Sequence, residues 1–212
     1  IINKVENRFP KEYKPREEQG LLKRYSDITQ VDMSSGNWLV LSSANYFLED
    51  AKDLCEIQGW YYQYKGINSV PLKLLLALNN WEPWRKDAQL NHLEIKNIYE
   101  YLGSNVLVGF QKGKTLHSDA KYTLKECQDQ HGLLTSNVWY EAFEGLDPIT
   151  ETYIRNMRAN GETLNKNPRI KMSTIHAAKG GEADNVLLMQ DLTGAALETF
   201  SHDPDELHRL FY

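Results

Sequence analysis

Several residue types that can do chemistry lie together in one short segment, STIHAAKGGEADNVLL (residues 173–188). Gly180 and Gly181 lack a Cβ, which lets a backbone approach a phosphate or adopt a positive φ. Glu182 follows directly and can accept hydrogen bonds from a ribose hydroxyl. The segment therefore allows a phosphate and ribose contact. The spacing alone favours the alternative, an ordinary tight turn with Lys179 solvated and Glu182 capping it, because glycine pairs are common in turns.

Two further polar side chains precede the glycine pair at the end of a predicted strand, RIKMSTIH. In an open parallel sheet, ligands bind beyond the carboxyl ends of the strands, so Thr174 and His176 are predicted to reach such a crevice. His176 also fits the role of a structural histidine at a strand end. Thr174 also fits its strand simply as a β-branched residue.

The surrounding sequence predicts an α/β domain. WLVLSS and WYYQYKG have strand character, and the 3.6-residue period of NYFLEDAKDLCEIQG predicts a helix between them that ends at Gly59. Strand, helix and strand with short connections form the βαβ unit of a parallel sheet. Further strands are predicted at GLLKRYSDI, RIKMSTIH and DNVLLMQD, and a final helix at DPDELHRLFY.

A mainly helical region separates the two parts of this predicted sheet domain. LKLLLALNNWEPW, LEIKNIYEYLG and ITETYIRNMRANG all repeat apolar residues at helical spacing. The predicted organisation is a sheet domain of residues 1–66 and 169–212, interrupted by a helical insertion of residues 67–168.

Composition excludes several classes of protein. The 212 residues are 41% apolar and 25% charged, as in globular chains. A net charge of −5 argues against a surface that coats nucleic acid throughout, although it does not exclude a local basic groove. Cys55 and Cys127 have no metal-ligand spacing, and no apolar run is long enough for a membrane span or a signal peptide. A reduced cytoplasmic location without a membrane partner is expected.

One segment of the insertion imitates a phosphate-binding loop. In NVLVGFQKGKT, Gly109 and Gly113 enclose three residues, whereas that loop needs four for its amides to wrap the phosphates. We therefore predict a surface turn here and not an ATP site.

The quoted segment, read with its strand as RIKMSTIHAAKGGEADNVLL, resembles a motif of UvrD/Rep-type superfamily 1 DNA helicases. There a strand ends in Thr-Φ-His, a short helix follows, and Lys-Gly-x-Glu leads into the next strand. DELHRLFY resembles the start of the same family's last motif, which supplies an arginine to the nucleotide, but the chain ends at Tyr212. The stretch from Asn37 to Gly66 resembles the strand-helix-strand that opens the second motor domain. The family's Arg-[Ser/Thr]-Asn triplet reads Ser43, Ala44 and Asn45 here, which puts the arginine contact in doubt.

The resemblance implies the second of two RecA-like motor domains, incomplete at both ends. It assigns nucleotide contacts to Gly180, Gly181 and Glu182, with the glutamate toward the ribose, and single-strand DNA contacts to Thr174, His176 and Asn45. An alternative for Asn45 is that it caps the following helix. The aromatic residues Trp60, Tyr61, Tyr62, Tyr64, Trp81 and Trp84 are candidates for base stacking, although core packing is favoured for them.

The parent protein implied by the resemblance is an ATP-dependent DNA helicase that translocates 3′ to 5′, in a bacterial or phage-infected cell. ATP and Mg²⁺ would be held mainly by a first motor domain. This sequence lacks that domain's phosphate loop, Asp-Glu pair and adenine-contacting glutamine, so the chain is not expected to hydrolyse ATP alone, and no metal ligand is assigned. Its partners would be single-stranded or partly duplex DNA and the first RecA-like domain. An initial residue other than Met and an end at LHRLFY suggest a piece of a longer protein. The alternative function is a non-catalytic nucleic-acid-binding or protein-binding module with a RecA-like fold.

Overall fold

The computed structural model describes residues 19–108, 114–162, 164, 167–179, 181–203 and 205. The chain divides into two compact units, with boundaries after Ile67 and after Pro168. The sequence-based boundaries were 66/67 and 168/169. The first and last parts of the chain thus share one unit, and the middle forms the other.

The first unit is an α/β domain built on a mostly parallel sheet. Its five strands are β1 (Trp38–Ser42), β2 (Tyr62–Tyr64), β3 (Ile67–Asn68), β6 (Ile170–Thr174) and β7 (Asn185–Leu188). They lie in the order β3-β2-β6-β1-β7, and β6 runs parallel to both β2 and β1 while β7 runs parallel to β1. The prediction of an α/β fold with a parallel sheet flanked by helices is confirmed at this level.

Helix α1 (Glu49–Gln58) connects β1 to β2 as the sequence predicts. It ends where Gly59 takes φ 67°, a left-handed conformation that glycine adopts without a steric penalty. Tyr62 and Tyr64 of β2 lie beside Ile170 and Met172 in the register, and the Tyr62 hydroxyl donates to Glu56 of α1 at 2.6 Å. Helix α1 therefore covers the face of the sheet to which these tyrosines belong.

The core of this unit lies between α1 and that face. The core side chains include Val40, Ile170 and Met172 from the strands and Leu48, Ala51, Leu54 and Cys55 from the α1 segment. By contrast, Val186 of β7 is 57% exposed, and α7 (Gly194–His202) buries none of its residues. The α1 face is thus much better covered than the β7 end of the sheet.

The second unit is mainly helical. Its helices are α2 (Leu72–Trp84), α3 (His92–Tyr99), α4 (Leu124–Gln130), α5 (Trp139–Ala142) and α6 (Pro148–Ala159), and β4 (Leu90–Asn91) pairs antiparallel with β5 (Lys121–Tyr122). Trp81 and Trp84 are fully buried, and their indole N–H groups donate to the carbonyls of Asn137 and Tyr122, each at 3.0 Å. This satisfied packing explains the tryptophans of α2 as core residues and not as stacking platforms.

One predicted strand does not form, and one helix of the structure was not predicted. GLLKRYSDI forms no strand, because Leu21 and Leu22 are more than 80% exposed and Asp27 instead caps a 3₁₀ turn at Ile28–Gln30. Helix α7 was not predicted, since its residues provide no buried face. The predicted loop at 109–113 and all of DELHRLFY except Asp205 lie outside the described residues, as does the polar start of the chain.

Candidate functional site

The carboxyl ends of the two central strands lie side by side. Ser42, the last residue of β1, is in register with Thr174, the last residue of β6. The Ile175 N–H then donates to the Ser42 carbonyl at 2.9 Å, so the pairing continues one residue beyond both strands. The loops that follow β1 and β6 therefore start from adjacent points, and we call this region the carboxyl edge.

Thr174 shapes the turn that follows β6. Its carbonyl accepts from Ala178 N–H at 3.0 Å, and its hydroxyl oxygen accepts from Ala177 N–H at 3.4 Å. Its side chain is half-buried, whereas His176, within the turn, is exposed. Thr174 therefore has a structural role in the turn, and His176 presents its imidazole to solvent at the carboxyl edge.

Asn45 lies on the loop after β1, at the start of a 3₁₀ turn (Asn45–Leu48) that leads into α1. The N-cap of that turn is Ala44 and the N-cap of α1 is Leu48, and neither is capped by a side chain. The alternative that Asn45 caps the helix is therefore wrong. The Asn45 carbonyl accepts from the Tyr64 hydroxyl at 3.4 Å, which links this loop to the end of β2.

Two serines hold the loop after β1, a role that was not predicted from the sequence. The fully buried Ser42 donates from its hydroxyl to the Ala44 carbonyl at 2.7 Å. Ser43 donates to the Asp191 carbonyl, also at 2.7 Å, and so ties this loop to the one after β7. The helicase family that this sequence resembles has an arginine at position 43. In this chain the serine at that position instead anchors the loop through its hydrogen bond to a backbone carbonyl.

Gly181 and Glu182 lie on the return path from β6 to β7. A Cβ on Gly181 would sit 3.6 Å from Leu39 Cδ2 and 3.0 Å from the Ala178 carbonyl oxygen. Leu39 alternates with Val40 in the pleat, so the return path crosses the face opposite α1. Gly181 does not have a positive φ, so its lack of a Cβ serves the close approach to Ala178.

The return path ends at the amino end of the sheet. There the Asn37 side chain donates to the Asp184 carboxylate at 2.9 Å, and Asn185 N–H donates to the Asn37 carbonyl at 3.0 Å. Gly181 and Glu182 are both exposed before this anchor. Gly180 lies outside the described residues. The predicted nucleotide and DNA contacts therefore belong to different parts of the sheet surface, with Asn45 leading into α1 and Gly181 on the opposite face.

A cluster of charged and aromatic side chains flanks the carboxyl edge at the end of β2. The ammonium groups of Lys52 and Lys65 lie 5.1 Å and 4.8 Å from the centre of the Tyr64 ring. Lys52 also pairs with Glu49 at 2.5 Å. This hydrogen bond raises the pKa of Lys52 and lowers the pKa of the Glu49 carboxyl.

Lys65 takes φ 51° and Gly66 φ 78°, as expected for a two-residue turn between β2 and β3 with both central residues left-handed. The turn places the exposed Lys65 directly after the carboxyl end of β2. Its backbone N–H donates to the Met172 carbonyl at 3.3 Å, which fixes the turn against β6.

The buried aromatic residues of this unit are explained by packing. Trp60, Tyr61 and Tyr62 are each 7% exposed or less, and their alternative role in base stacking is therefore unsupported. Tyr46, which directly follows Asn45, is 59% exposed and was missed from the sequence. The one sequence feature that could have indicated Tyr46 was its position next to Asn45, a predicted contact residue.

Comparison with models of protein families, with curated proteins and with solved structures gives no match to this chain. The described ranges contain no group of three or more His, Cys, Asp or Glu side chains placed to hold a metal ion. They also contain no helix with the length and apolar character needed to cross a bilayer.

Proposed function

We propose that this chain is the second RecA-like motor domain of an ATP-dependent DNA helicase of the UvrD/Rep type. In this role it binds a single strand at the carboxyl edge and contributes part of an ATP cleft. Magnesium and the phosphates would be held mainly by a first motor domain, and the described part of this chain offers no carboxylate cluster of its own for the metal.

The observation that carries the proposal is the register of β1 with β6. Asn45 and His176 belong to two motifs that resemble the helicase family and are far apart in the sequence. In the fold their loops start from Ser42 and Thr174, which are direct partners in the sheet. Neither motif alone requires the two loops to be adjacent, so their adjacency supports one ligand that both loops contact.

The nucleotide part of the proposal rests on Gly181 and Glu182. Both are exposed, and the connection that carries them begins in the turn that contains His176. A nucleotide that displaces this connection would therefore change the turn at the carboxyl edge. This is the physical route by which nucleotide state would be coupled to the grip on the strand.

The alternative is a non-catalytic nucleic-acid-binding module. It is favoured by position 43, where the motor family has an arginine and this chain has Ser43, whose hydroxyl donates to the Asp191 carbonyl. Both functions use the carboxyl edge, and they differ in whether a nucleotide is bound.

Binding of a fluorescein-labelled single-stranded oligonucleotide, followed by anisotropy, tests the shared part of both functions. The 212-residue chain should bind the single strand better than a duplex of equal length, and His176→Ala should weaken that binding. The matched control is His117→Ala, which removes an exposed histidine of the helical unit. Equal binding of the wild type and His176→Ala would remove the assignment of this histidine. A chain that binds no oligonucleotide would contradict both functions.

Nucleotide binding separates the two functions. A fluorescent ATP analogue that binds the chain, alone or in the protein that also contains a first motor domain, supports the motor. Oligonucleotide binding without any nucleotide binding in either form supports the module.

A further inference from the structure

Tyr46 stands apart from the other aromatic residues of the sheet unit. Trp60, Tyr61 and Tyr62 are core residues, whereas Tyr46 leaves 59% of its surface in solvent. It directly follows Asn45 on the loop after β1. Burial in the core therefore does not account for an aromatic side chain at this position.

The backbone and one side of the ring are nevertheless held in place. Tyr46 belongs to the 3₁₀ turn Asn45–Leu48, which is anchored by the fully buried Leu48. Its ring centre lies 4.2 Å from that of Phe47, with 47° between the ring planes. A ring that is already ordered loses little conformational entropy when a ligand stacks on it.

Positive charge lies at the same carboxyl edge, around the ring of Tyr64. The Asn45 carbonyl is bonded to the Tyr64 hydroxyl, and Lys52 and Lys65 lie over the Tyr64 ring. Glu49 forms its ion pair with Lys52 and interacts more weakly with the charge of Lys65, which leaves Lys65 as the stronger candidate for a phosphate contact. An exposed ring and an exposed lysine at the same edge of a parallel sheet match the combination with which proteins hold single strands, namely stacking plus phosphate attraction.

We propose that Tyr46 is a stacking platform for one base of a single-stranded nucleic acid, with Lys65, which follows β2 at the same carboxyl edge, available for the phosphate backbone. This inference rests on the proposed function and deepens it, because it names the part of the ligand that the loop after β1 recognises. A single strand is required, because only an unstacked base offers its face to a side chain. Stacking accepts any base, so the contact provides affinity and no base specificity.

The experiment compares two oligonucleotides of equal length and charge, one of thymidines and one with abasic sites at every internal position. Binding of each to the 212-residue chain is measured by fluorescence anisotropy at fixed salt. The wild type should prefer the thymidine strand. Tyr46→Ala should weaken binding to the thymidine strand by about 5- to 150-fold, the range expected for the loss of one stacked base. Its affinity for the abasic strand should stay unchanged.

Three further variants separate stacking from other effects. Tyr46→Trp should keep the preference for the thymidine strand, because it keeps an aromatic face. Lys65→Ala should weaken the binding of both oligonucleotides by the same factor, because both carry the same phosphates. Tyr140→Ala is the matched control, since Tyr140 is a partly exposed tyrosine of the helical unit whose ring is covered by Arg155 at 3.8 Å.

Each outcome decides for or against the proposal. An unchanged preference for the thymidine strand in Tyr46→Ala would overturn the stacking role while leaving nucleic-acid binding intact. An equal loss of affinity for both oligonucleotides in Tyr46→Ala would also overturn the stacking role, because such a loss would indicate a general effect on the loop. No binding of either strand by the wild type would overturn the proposed function itself, and with it the role of Tyr46.

Discussion

Ser42 and Thr174 are paired in register at the carboxyl ends of two adjacent parallel strands, and the Ile175 N–H extends that pairing by donating to the Ser42 carbonyl at 2.9 Å. The loops that carry Asn45 and His176 therefore leave the sheet from the same place. Because parallel sheets collect ligands beyond their carboxyl ends, this pair of loops is the natural position for a shared ligand.

Asn45 and His176 should act on the same bound strand. We expect Asn45→Ala and His176→Ala each to weaken single-strand binding by about 2- to 10-fold, the effect of losing one hydrogen bond. Because the proposed function has both residues bind one ligand from neighbouring loops, the double variant should deviate from the product of the two single effects. Anisotropy titrations of the four proteins give this double-mutant cycle. Strictly multiplicative effects would argue for two independent binding sites.

Glu182 should discriminate between nucleotides by their ribose hydroxyls. The wild type, tested alone and with a first motor domain, should bind ATP more tightly than 2′,3′-dideoxy-ATP. Glu182→Ala should abolish this difference, at a cost for ATP of about 10- to 150-fold, as for a hydrogen bond to a charged group. Competition against a fluorescent ATP analogue measures both affinities. Glu198→Ala, at an exposed acid of α7, is the control and should leave the discrimination intact.

Gly181→Ala should destabilise the sheet unit by about 1 kcal/mol, because the added Cβ would lie 3.0 Å from the Ala178 carbonyl oxygen and the turn must shift to admit it. Gly194→Ala provides the matched comparison, since no atom lies within 4 Å of its added Cβ. At the start of α7 it should be neutral or stabilising by about 0.5 kcal/mol. Urea unfolding measures both changes. Equal effects of the two substitutions would contradict the close approach at Gly181.

The helical unit should lose part of its stability in acid through the capping box of α4. There Thr123 N–H donates to Glu126 at 2.7 Å, and this bond lowers the pKa of Glu126 from its ordinary 4.5. A carboxyl whose pKa is lower in the folded state than in the unfolded state stabilises the fold at pH values above its unfolded-state pKa. This contribution is lost as the pH falls below 4.5. Glu126→Gln keeps an acceptor but does not titrate. Urea midpoints between pH 3 and pH 6 (a range of about 1.5 units on either side of that value) should therefore fall less steeply for Glu126→Gln than for the wild type. Parallel curves would exclude Glu126 as a source of the acid sensitivity.

The regular elements of the fold could be predicted where apolar periodicity was strong. The alternation of buried Ile170, exposed Lys171 and buried Met172 marks β6, and the 3.6-residue spacing of Ala51, Leu54 and Cys55 marks α1. Leu21 and Leu22 misled the prediction, because apolar residues indicate a strand only where a partner strand or a core covers them. Helix α7 was not predicted, and none of its residues is buried.

The candidate site was only partly predictable. Local motifs predicted Thr174, His176 and Asn45 as contact residues, but their relative position depends on the strand order, in which β1 lies between β6 and β7. That order carries the return path and Gly181 across the face opposite α1. The exposure of Tyr46 also depends on tertiary packing, because local sequence does not distinguish it from the buried Tyr61 and Tyr62.

Amide hydrogen exchange of the chain with and without a saturating single-stranded oligonucleotide tests the central claim most directly. We predict slower exchange in residues 43–47 and 175–179, the loops that leave Ser42 and Thr174, and little change in the helical unit. Protection confined to the helical unit, or absent from both loops while the strand is bound, would contradict a ligand site at the carboxyl edge.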